Sequence, residues 1–204
     1  MAKISKPVCR ICRRNAEKLY LKGRRCESDK CPLDPRKQRR GVTQAKTSEY
    51  GMQMREKNKV KVYYGVLERQ FRRYFAMAKK AKGVTGEVLL RLLECRLDNV
   101  VYRVHWAFSR RMARQAIVHG HVFVNGKRVN KPSYQVRIGD EISISDGSKY
   151  VEIAKQVKEL GTATVPAWLE VSENELKAKV ARYPLREEVG IPVDEHLIIN
   201  FYSK

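Results

Sequence analysis

Long apolar runs are missing from this sequence. No stretch approaches the roughly 18 residues of a membrane-spanning helix. The opening MAKISKPVCRICRR lacks the apolar centre of a secretory leader. A cytosolic setting is therefore expected, where thiols stay reduced. Acidic residues are scarce as well. Only 22 Asp and Glu face 43 Lys and Arg, a formal net charge of +21. A compact chain with that excess repels itself unless a polyanion neutralises it. Nucleic acid is the leading partner, because neutralised phosphates release condensed counterions. An anionic membrane surface would call for basic helices backed by massed Trp, Phe and Leu. Two Trp, five Phe and cations spread along the whole chain argue against that partner.

Catalytic groupings are missing too. The central stretch Leu93–Ser145 holds no carboxylate pair, no nucleophile–base set and no phosphate-cradling Gly loop. The tail beyond it carries no catalytic motif. One tripeptide, Arg96-Leu97-Asp98, resembles the catalytic motif of pseudouridine synthases, whose Asp is the nucleophile. That motif belongs in a large separate domain, and the rest of this chain is too small to supply one. The spacing places the tripeptide inside a helix, with Asp98 pairing to an Arg or a backbone N–H. Cys95, alone in the same apolar run, reads as a small buried hydrophobe.

What is present begins with cysteine. Cys9, Cys12, Cys26 and Cys31 are spaced C-x2-C-x13-C-x4-C within a polar, basic segment. Four thiolates suit a closed tetrahedral zinc site, with sulfurs about 2.3 Å from the ion. Nearby Arg and Lys would favour the thiolate form. A single structural Zn2+ is expected, folding an arm with too little core of its own. An iron–sulfur cluster and four unliganded thiols are the alternatives. Residues 32–47, PLDPRKQRRGVTQAKT, read as a basic linker broken by Pro and Gly. Arg36, Lys37, Arg39, Arg40 and Lys46 there suit phosphate contact.

Helical patterning starts after Ser48, a candidate N-cap. One helix runs towards Tyr64 and stops at Gly65. A second spans about Leu67–Lys82 with Leu67, Phe71, Tyr74, Phe75 and Ala78 as its buried stripe. Those aromatics read as core rather than as base-stacking platforms. A third is capped by Thr85. In the central stretch, a helix over Glu94–His105 buries Leu97, Val100, Val101 and Val104. Ser109 then caps a short helix with Met112, Ala113, Ala116 and Ile117 inward. Arg110, Arg111 and Arg114 are expected to face outward near an anion-attracting helix N-terminus. Gly120 fits the left-handed residue after that helix. Asn125-Gly126 signals a hairpin. A third strand is expected after Pro132 and Tyr134, then another in EISIS. Lys149–Leu160 reads as one more helix. Ala167–Val171 and Leu176–Ala181 read as strand-like runs of a tail that packs on the helical bundle. His119 and His121 straddle Gly120 and lack two further ligands for a metal. They suit a phosphate or ribose contact, or simply an exposed turn.

The residues RLDNVVYR at 96–103, SRRMARQAIVHGHVFVNGKRV at 109–129 and PSYQVRIGDEI at 132–142 resemble an RNA-binding module. It is the module named after the S-four family of small-subunit ribosomal proteins. Synthetases, RNA-modifying enzymes and heat-shock factors also use it, so the flanks decide. SEYGMQMREKNKVKVYYGVLERQFRRYF at 48–75, GVTGEVLLRLLECRLDNVVYR at 83–103 and the ending INFYSK resemble the bacterial ribosomal family itself. The four-cysteine arm is found in some of its members. A Pro-Gly-x-His-Gly segment common in that family is absent, replaced by the shorter PRKQRRGVTQAKT.

The resemblance implies a non-enzymatic α+β protein. It would have a mainly helical domain, an inserted small α/β RNA-binding module and a zinc-bound N-terminal arm. The boundaries expected are 1–46 for arm and linker, 47–93 completed by 165–204 for the helical domain, and 94–164 for the module. It implies binding to 16S rRNA at a multi-helix junction of the 5′ domain, nucleating assembly of the small (30S) subunit. It further implies contact with ribosomal protein S-five and other small-subunit proteins, closeness to the mRNA entry path, and an influence on decoding accuracy. The expected RNA-binding residues are Arg110, Arg111, Arg114, His119, His121, Asn125 and Lys127 in the module. Arg10, Arg13, Arg14, Arg24 and Arg25 would contribute from the arm, and Arg69, Arg72 and Arg73 from the bundle. An RNA-modifying enzyme or a stress factor carrying the same module is the alternative.

Overall fold

The computed structural model describes residues 7–15, 17–34, 48–160, 164–172 and 175–203. In chain order the helices are α1 (Val8–Asn15), α2 (Glu49–Tyr63), α3 (Glu68–Lys80), α4 (Thr85–Glu94), α5 (Leu97–Arg103), α6 (Arg110–Val118), α7 (Tyr150–Leu160) and α8 (Glu195–Ser203). The strands are β1 (Val122–Val124), β2 (Lys127–Arg128), β3 (Glu141–Ile144), β4 (Leu169–Val171) and β5 (Lys177–Val180). The chain forms two compact units, Met1–Leu89 with Ile191–Lys204, and Leu90–Gly190.

The first unit is helical. Ser48 caps α2 as its sequence suggests, its Oγ accepting from the Gly51 N–H at 3.2 Å. Gly65, at φ +65°, turns the chain out of that helix. On α3 the apolar stripe Phe71, Tyr74, Phe75 and Ala78 is buried. The run HLIINFYS forms α8, which packs against α2. Its Tyr202 ring lies 4.6 Å from that of Phe75 and 6.2 Å from that of Phe71. Gly86 leaves the room α8 needs, since a Cβ there would sit 2.6 Å from Glu195 Cβ. The arm joins the same unit through Lys59 Nζ, 2.7 Å from Glu17 Oε2.

The second unit is a mixed α/β module with its own core. Leu97, Val100, Val101, Trp106, Ala113, Ile117, Val122, Ile142, Trp168 and Val180 are fully buried in one cluster. Ser109 caps α6 through the Met112 N–H at 3.3 Å. Asn125 and Gly126, at φ +50° and +72°, make the β1–β2 turn with the left-handed backbone that a tight hairpin requires. Val122, Val124, Ile142 and Ile144 alternate into the core while Phe123 and Ser143 face the other side.

Three expectations fail here. The sheet runs β2-β1-β3-β5-β4, with β3 antiparallel to β5 and β5 to β4. Strands β4 and β5 therefore complete the module's sheet, where the tail was expected to join the helical bundle. The return to the first unit comes only at Ile191, not at 165, because Ala178 and Val180 have their buried places beside Ile142. The strand expected after Pro132 and Tyr134 is reduced to one isolated bridge, Arg96 to Gln135. Its backbone is used elsewhere. The Pro132 and Tyr134 carbonyls accept from the Asp98 and Leu97 N–H groups at 3.1 and 2.9 Å, satisfying the free donors at the start of α5. For the same reason Arg96-Leu97-Asp98 does not lie within a helix: Arg96 is the extended N-cap residue and Leu97 begins α5.

Candidate nucleic-acid interface

Helix α6 was expected to point its arginines at solvent. Two of the three instead reach into a buried polar network. Arg110 and Arg114 are one helical turn apart, so they share a face. Arg110 Nε donates to Asn99 Oδ1 at 2.8 Å, and its guanidinium lies 4.4 Å from the centre of the Tyr102 ring. Arg114 Nη1 lies 3.4 Å from Asp98 Oδ2. Arg111 is exposed. The apolar periodicity of α6 could not distinguish solvent from a polar cluster on its far face.

The network is built on two dry carboxylates. Asp98 accepts from Arg96 Nε at 3.0 Å and Arg96 Nη2 at 2.6 Å, with both residues essentially without solvent access. This bidentate fork matches guanidinium geometry. It also gives Asp98 the arginine partner expected of a structural residue. Glu94, equally buried, accepts from Arg103 Nη2 at 2.7 Å and Nε at 3.0 Å. Asn99 joins the two halves. Its Nδ2 donates to Glu94 Oε2 at 2.6 Å and to the Glu94 carbonyl at 2.9 Å. Charges removed from water this thoroughly persist only when paired and hydrogen-bonded.

The remaining module residues divide by exposure. Lys127 lies exposed on β2. Asn125 is tied into its own turn, donating to Asp140 Oδ1 at 2.8 Å and accepting from the Glu141 N–H at 2.9 Å. His121 is half-buried, with Nδ1 2.7 Å from Ser148 Oγ and its ring stacked 5.7 Å from Tyr150. His119 is exposed, its ring 6.1 Å from that of His121. Its carbonyl accepts from Arg128 Nη2 at 3.1 Å. Gly120, at φ +78°, leaves open the space that the Arg128 guanidinium fills. Asn125 and His121 thus shape the surface, while Lys127, His119 and Arg111 lie on it. Cys95 is buried as expected, and that burial pushes its thiol up to about 12.

In the first unit, Arg10, Arg13, Arg14, Arg24 and Arg25 are exposed around the cysteine arm, and Arg69, Arg72 and Arg73 on α3. Glu68 gathers other cations of this unit. It accepts from Lys61 Nζ at 3.0 Å, Lys57 Nζ at 3.2 Å and the Tyr202 hydroxyl at 2.9 Å, with Arg72 Nε at 3.4 Å. Burial would raise its carboxyl, but hydrogen bonds from Lys61, Tyr202 and Lys57 outweigh burial and hold it at about 2. The linker cations Arg36, Lys37, Arg39, Arg40 and Lys46 lie outside the described residues.

Sequence reasoning missed Glu94, Asn99 and Arg103 as supports of α6, and Arg128 beside Gly120. A signal existed for some of them. Asp98 and Asn99 interrupt an otherwise apolar run, Leu97 to Val101, that the core requires. Nothing local marks Arg128.

Three of the cysteines, Cys12, Cys26 and Cys31, are buried, and Cys9 is partly so. Burial pushes the Cys12 thiol up, opposed by a bond from the Leu19 backbone and reinforced by Cys26, Cys9 and Cys31. Cys26 is raised in the same way, with the Lys22 N–H donating to its Sγ at 3.4 Å. The four sulfurs thus lie in one another's field. Among the described residues no three His, Cys, Asp or Glu side chains are drawn into a ready ligand shell. Among the same residues no helix is long and apolar enough to cross a membrane.

Cations presented from several elements, two of them anchored in a dry network beneath a short helix, define a protein built to bind a polyanion. Comparison with known proteins places it within that class. Residues 3–94 match the family described as "Ribosomal protein S4/S9 N-terminal domain", and residues 95–142 match the "S4 domain". Small ribosomal subunit protein uS4 of Natranaerobius thermophilus is 52% identical, with all of both chains covered. The proteins of the same name from Halothermothrix orenii and Dictyoglomus turgidum are 53% and 51% identical, again with all of each chain covered. The chain belongs to the small ribosomal subunit protein uS4 family, whose members are structural ribosomal proteins and not enzymes.

Proposed function

We propose that this protein is a structural constituent of the small (30S) ribosomal subunit in the cytoplasm and binds 16S rRNA directly. Full-length identity of about half to proteins of that name carries the reading. The +21 charge and the exposed cations of both units support it. The mechanism is electrostatic docking. Exposed Arg and Lys neutralise phosphates, while the folded module meets the A-form surface by shape more than by sequence. Such a protein acts early, at a junction of the 5′ domain, and nucleates assembly of the subunit body. Ribosomal protein S-five and other subunit proteins are its protein neighbours. A place near the mRNA entry path would let it influence decoding accuracy.

Sedimentation of a cell extract probed for this chain tests the reading. Stoichiometric migration with small subunits is expected. Migration of free protein, or with large subunits, would favour a stress factor and sink the ribosomal assignment. Binding of the purified chain to a 5′-domain transcript should weaken steeply between about 50 and 200 mM salt.

The cysteine arm is proposed to hold one structural Zn2+ through Cys9, Cys12, Cys26 and Cys31. The donor set fits: four soft ligands, three of them buried, with backbone hydrogen bonds on the sulfurs of Cys12 and Cys26. Bound zinc would supply charge neutralisation and a cross-link. Beyond the cysteines, only Val8 and Leu19 are buried hydrophobic residues in the described part of the arm, too few to hold it alone. Metal analysis should give one zinc per chain. A chelator should make the arm, but not the module, sensitive to protease. No bound metal in freshly purified protein would overturn the assignment.

A further inference from the structure

The module's sheet has two faces, and the core uses only one of them. Val122, Val124, Ile142, Ile144, Ala178 and Val180 are buried on that face together with residues of α5 and α6. Strand alternation sends Phe123, Ser143 and Lys177 to the opposite face, where they are direct cross-strand neighbours. A groove of about 460 Å³ opens over this row. Its walls include Val151 and Lys155 of α7, and Ser145, Asp146 and Glu175. A volume of that order suits a ligand of small-molecule size.

Phe123 is half-buried, yet it belongs neither to the core cluster nor to the hydrophobics packed against it. A phenyl ring at the edge of a groove is a stacking surface, and every base has a π-face to lay on it. Aromatic side chains on an open sheet face hold unpaired bases in this way. The polar groups around the ring have capacity to spare. Among the described residues, Asp146 and Lys155 make no hydrogen bond or ion pair. Lys177 is already paired, its Nζ 2.7 Å from Glu175 Oε2, and it also lies in the field of Asp146. Two lysines against two carboxylates leave the groove formally neutral, in a chain of net charge +21. A neutral groove does not collect phosphates wholesale. One ring, one uncommitted ammonium and one uncommitted carboxylate call for a ligand with an aromatic ring, one phosphate and a hydrogen-bond donor.

We propose that this groove binds a single unpaired nucleotide whose base carries an exocyclic amino group. The base lies on Phe123, its amino group donates to Asp146, and its phosphate meets Lys155. Cytosine presents an amino group where uracil presents a carbonyl oxygen, so the carboxylate accepts from the first and repels the second. A base turned out of an RNA strand and a free nucleotide offer the same chemistry. The groove lies on the sheet face opposite α6, so the proposal stands apart from docking on 16S rRNA.

Backbone amide signals of the full-length protein, followed as cytidine 5′-monophosphate is added, test it. Saturable shifts at Phe123, Ser143, Ser145 and Lys177 are expected. Ribose 5-phosphate should not reproduce them, and uridine 5′-monophosphate should bind about tenfold more weakly. Phe123→Leu should weaken binding about tenfold through lost stacking. Asp146→Asn, at an exposed position outside the core, should abolish the preference for cytidine over uridine. That second variant decides if Phe123→Leu does not fold. A cytidine dinucleotide that binds more tightly than the monophosphate assigns the groove to RNA, and equal affinity assigns it to the free nucleotide. Equal binding of the two monophosphates, equal shifts from ribose 5-phosphate, or no saturable shift at all would overturn the proposal. So would a cytidine preference that survives Asp146→Asn.

Discussion

Each unit of this protein has a carboxylate hub, and the two are built differently. In the helical unit Glu68 is about one-third exposed and collects two lysines, a tyrosine and, at longer range, an arginine. In the module Asp98 and Glu94 are dry, and they pair with Arg96, Arg114 and Arg103. Lysine is a compact, strongly hydrated point charge that suits a wet site. Arginine offers a planar fork, less strongly hydrated, that suits a dry one. The difference shows what each hub is for. Glu68 fastens α8 to α2 and α3 through ties that water weakens. The module's hubs brace α5 and α6 through ion pairs that water hardly reaches.

The sharpest way to break the comparison is to remove one carboxylate from each hub. Asp98→Ala leaves Arg96 buried without its partner and should cost about 3–5 kcal/mol in denaturant unfolding of the module. A loss below about 1 kcal/mol would mean that the network is wetter than its geometry. Next comes the paired replacement Arg96→Met with Asp98→Leu. Removing both charges should recover most of that stability, yet RNA affinity should stay reduced because Arg114 loses its support. Recovery of both together would erase the distinction between holding the fold and setting the surface.

Glu68 should give a smaller, pH-dependent effect. Its folded carboxyl is depressed to about 2 from an ordinary 4.5. The stability it contributes is therefore complete above about pH 5 and is lost as pH falls towards 2. Glu68→Gln should flatten that acid limb and change little near pH 2. An unchanged acid limb would remove Glu68 from the account. The smallest effect on folding belongs to the exposed cations. Arg69→Gln and Arg73→Gln should each shift stability by no more than about 0.5 kcal/mol. Each should lower the salt dependence of RNA binding by about one phosphate's worth. Unaltered salt dependence would show that this face of α3 does not meet RNA.

The same contrast explains what the sequence could say in advance. Ser48 and Ser109 as caps, Gly65 and Gly120 as stops, and Asn125-Gly126 as a turn are local physics, and each stands where it was expected. The aromatic stripe of α3 and the alternation of β1 and β3 follow from periodicity in the same way. Pairing over long separations was not legible. Nothing near Lys177–Val180 says that it will lie against β3 rather than the bundle, because both surfaces would accept an alternating strand. The site was legible as a set of cations and not as an arrangement. Arg110, Arg111 and Arg114 look alike in sequence, and only the positions of Asn99 and Asp98 separate the anchored pair from the exposed one. His121 and Asn125 were singled out for chemistry, and their ties to Ser148 and Asp140 were not legible.

The discontinuity of the helical unit carries a consequence for synthesis. Chains fold as they emerge, from the N-terminus onward. The module can close its sheet once Val180 is clear of the exit tunnel, because β5 is the strand that joins β3 to β4. Helix α2 begins some forty residues before the module, yet the helical unit waits for α8 and cannot bury Phe71 and Phe75 beneath Tyr202 until residue 202 has appeared. The part made in the middle is thus finished first. During that interval a nascent chain offers a shaped RNA-binding module while its first helices still expose their aromatic faces.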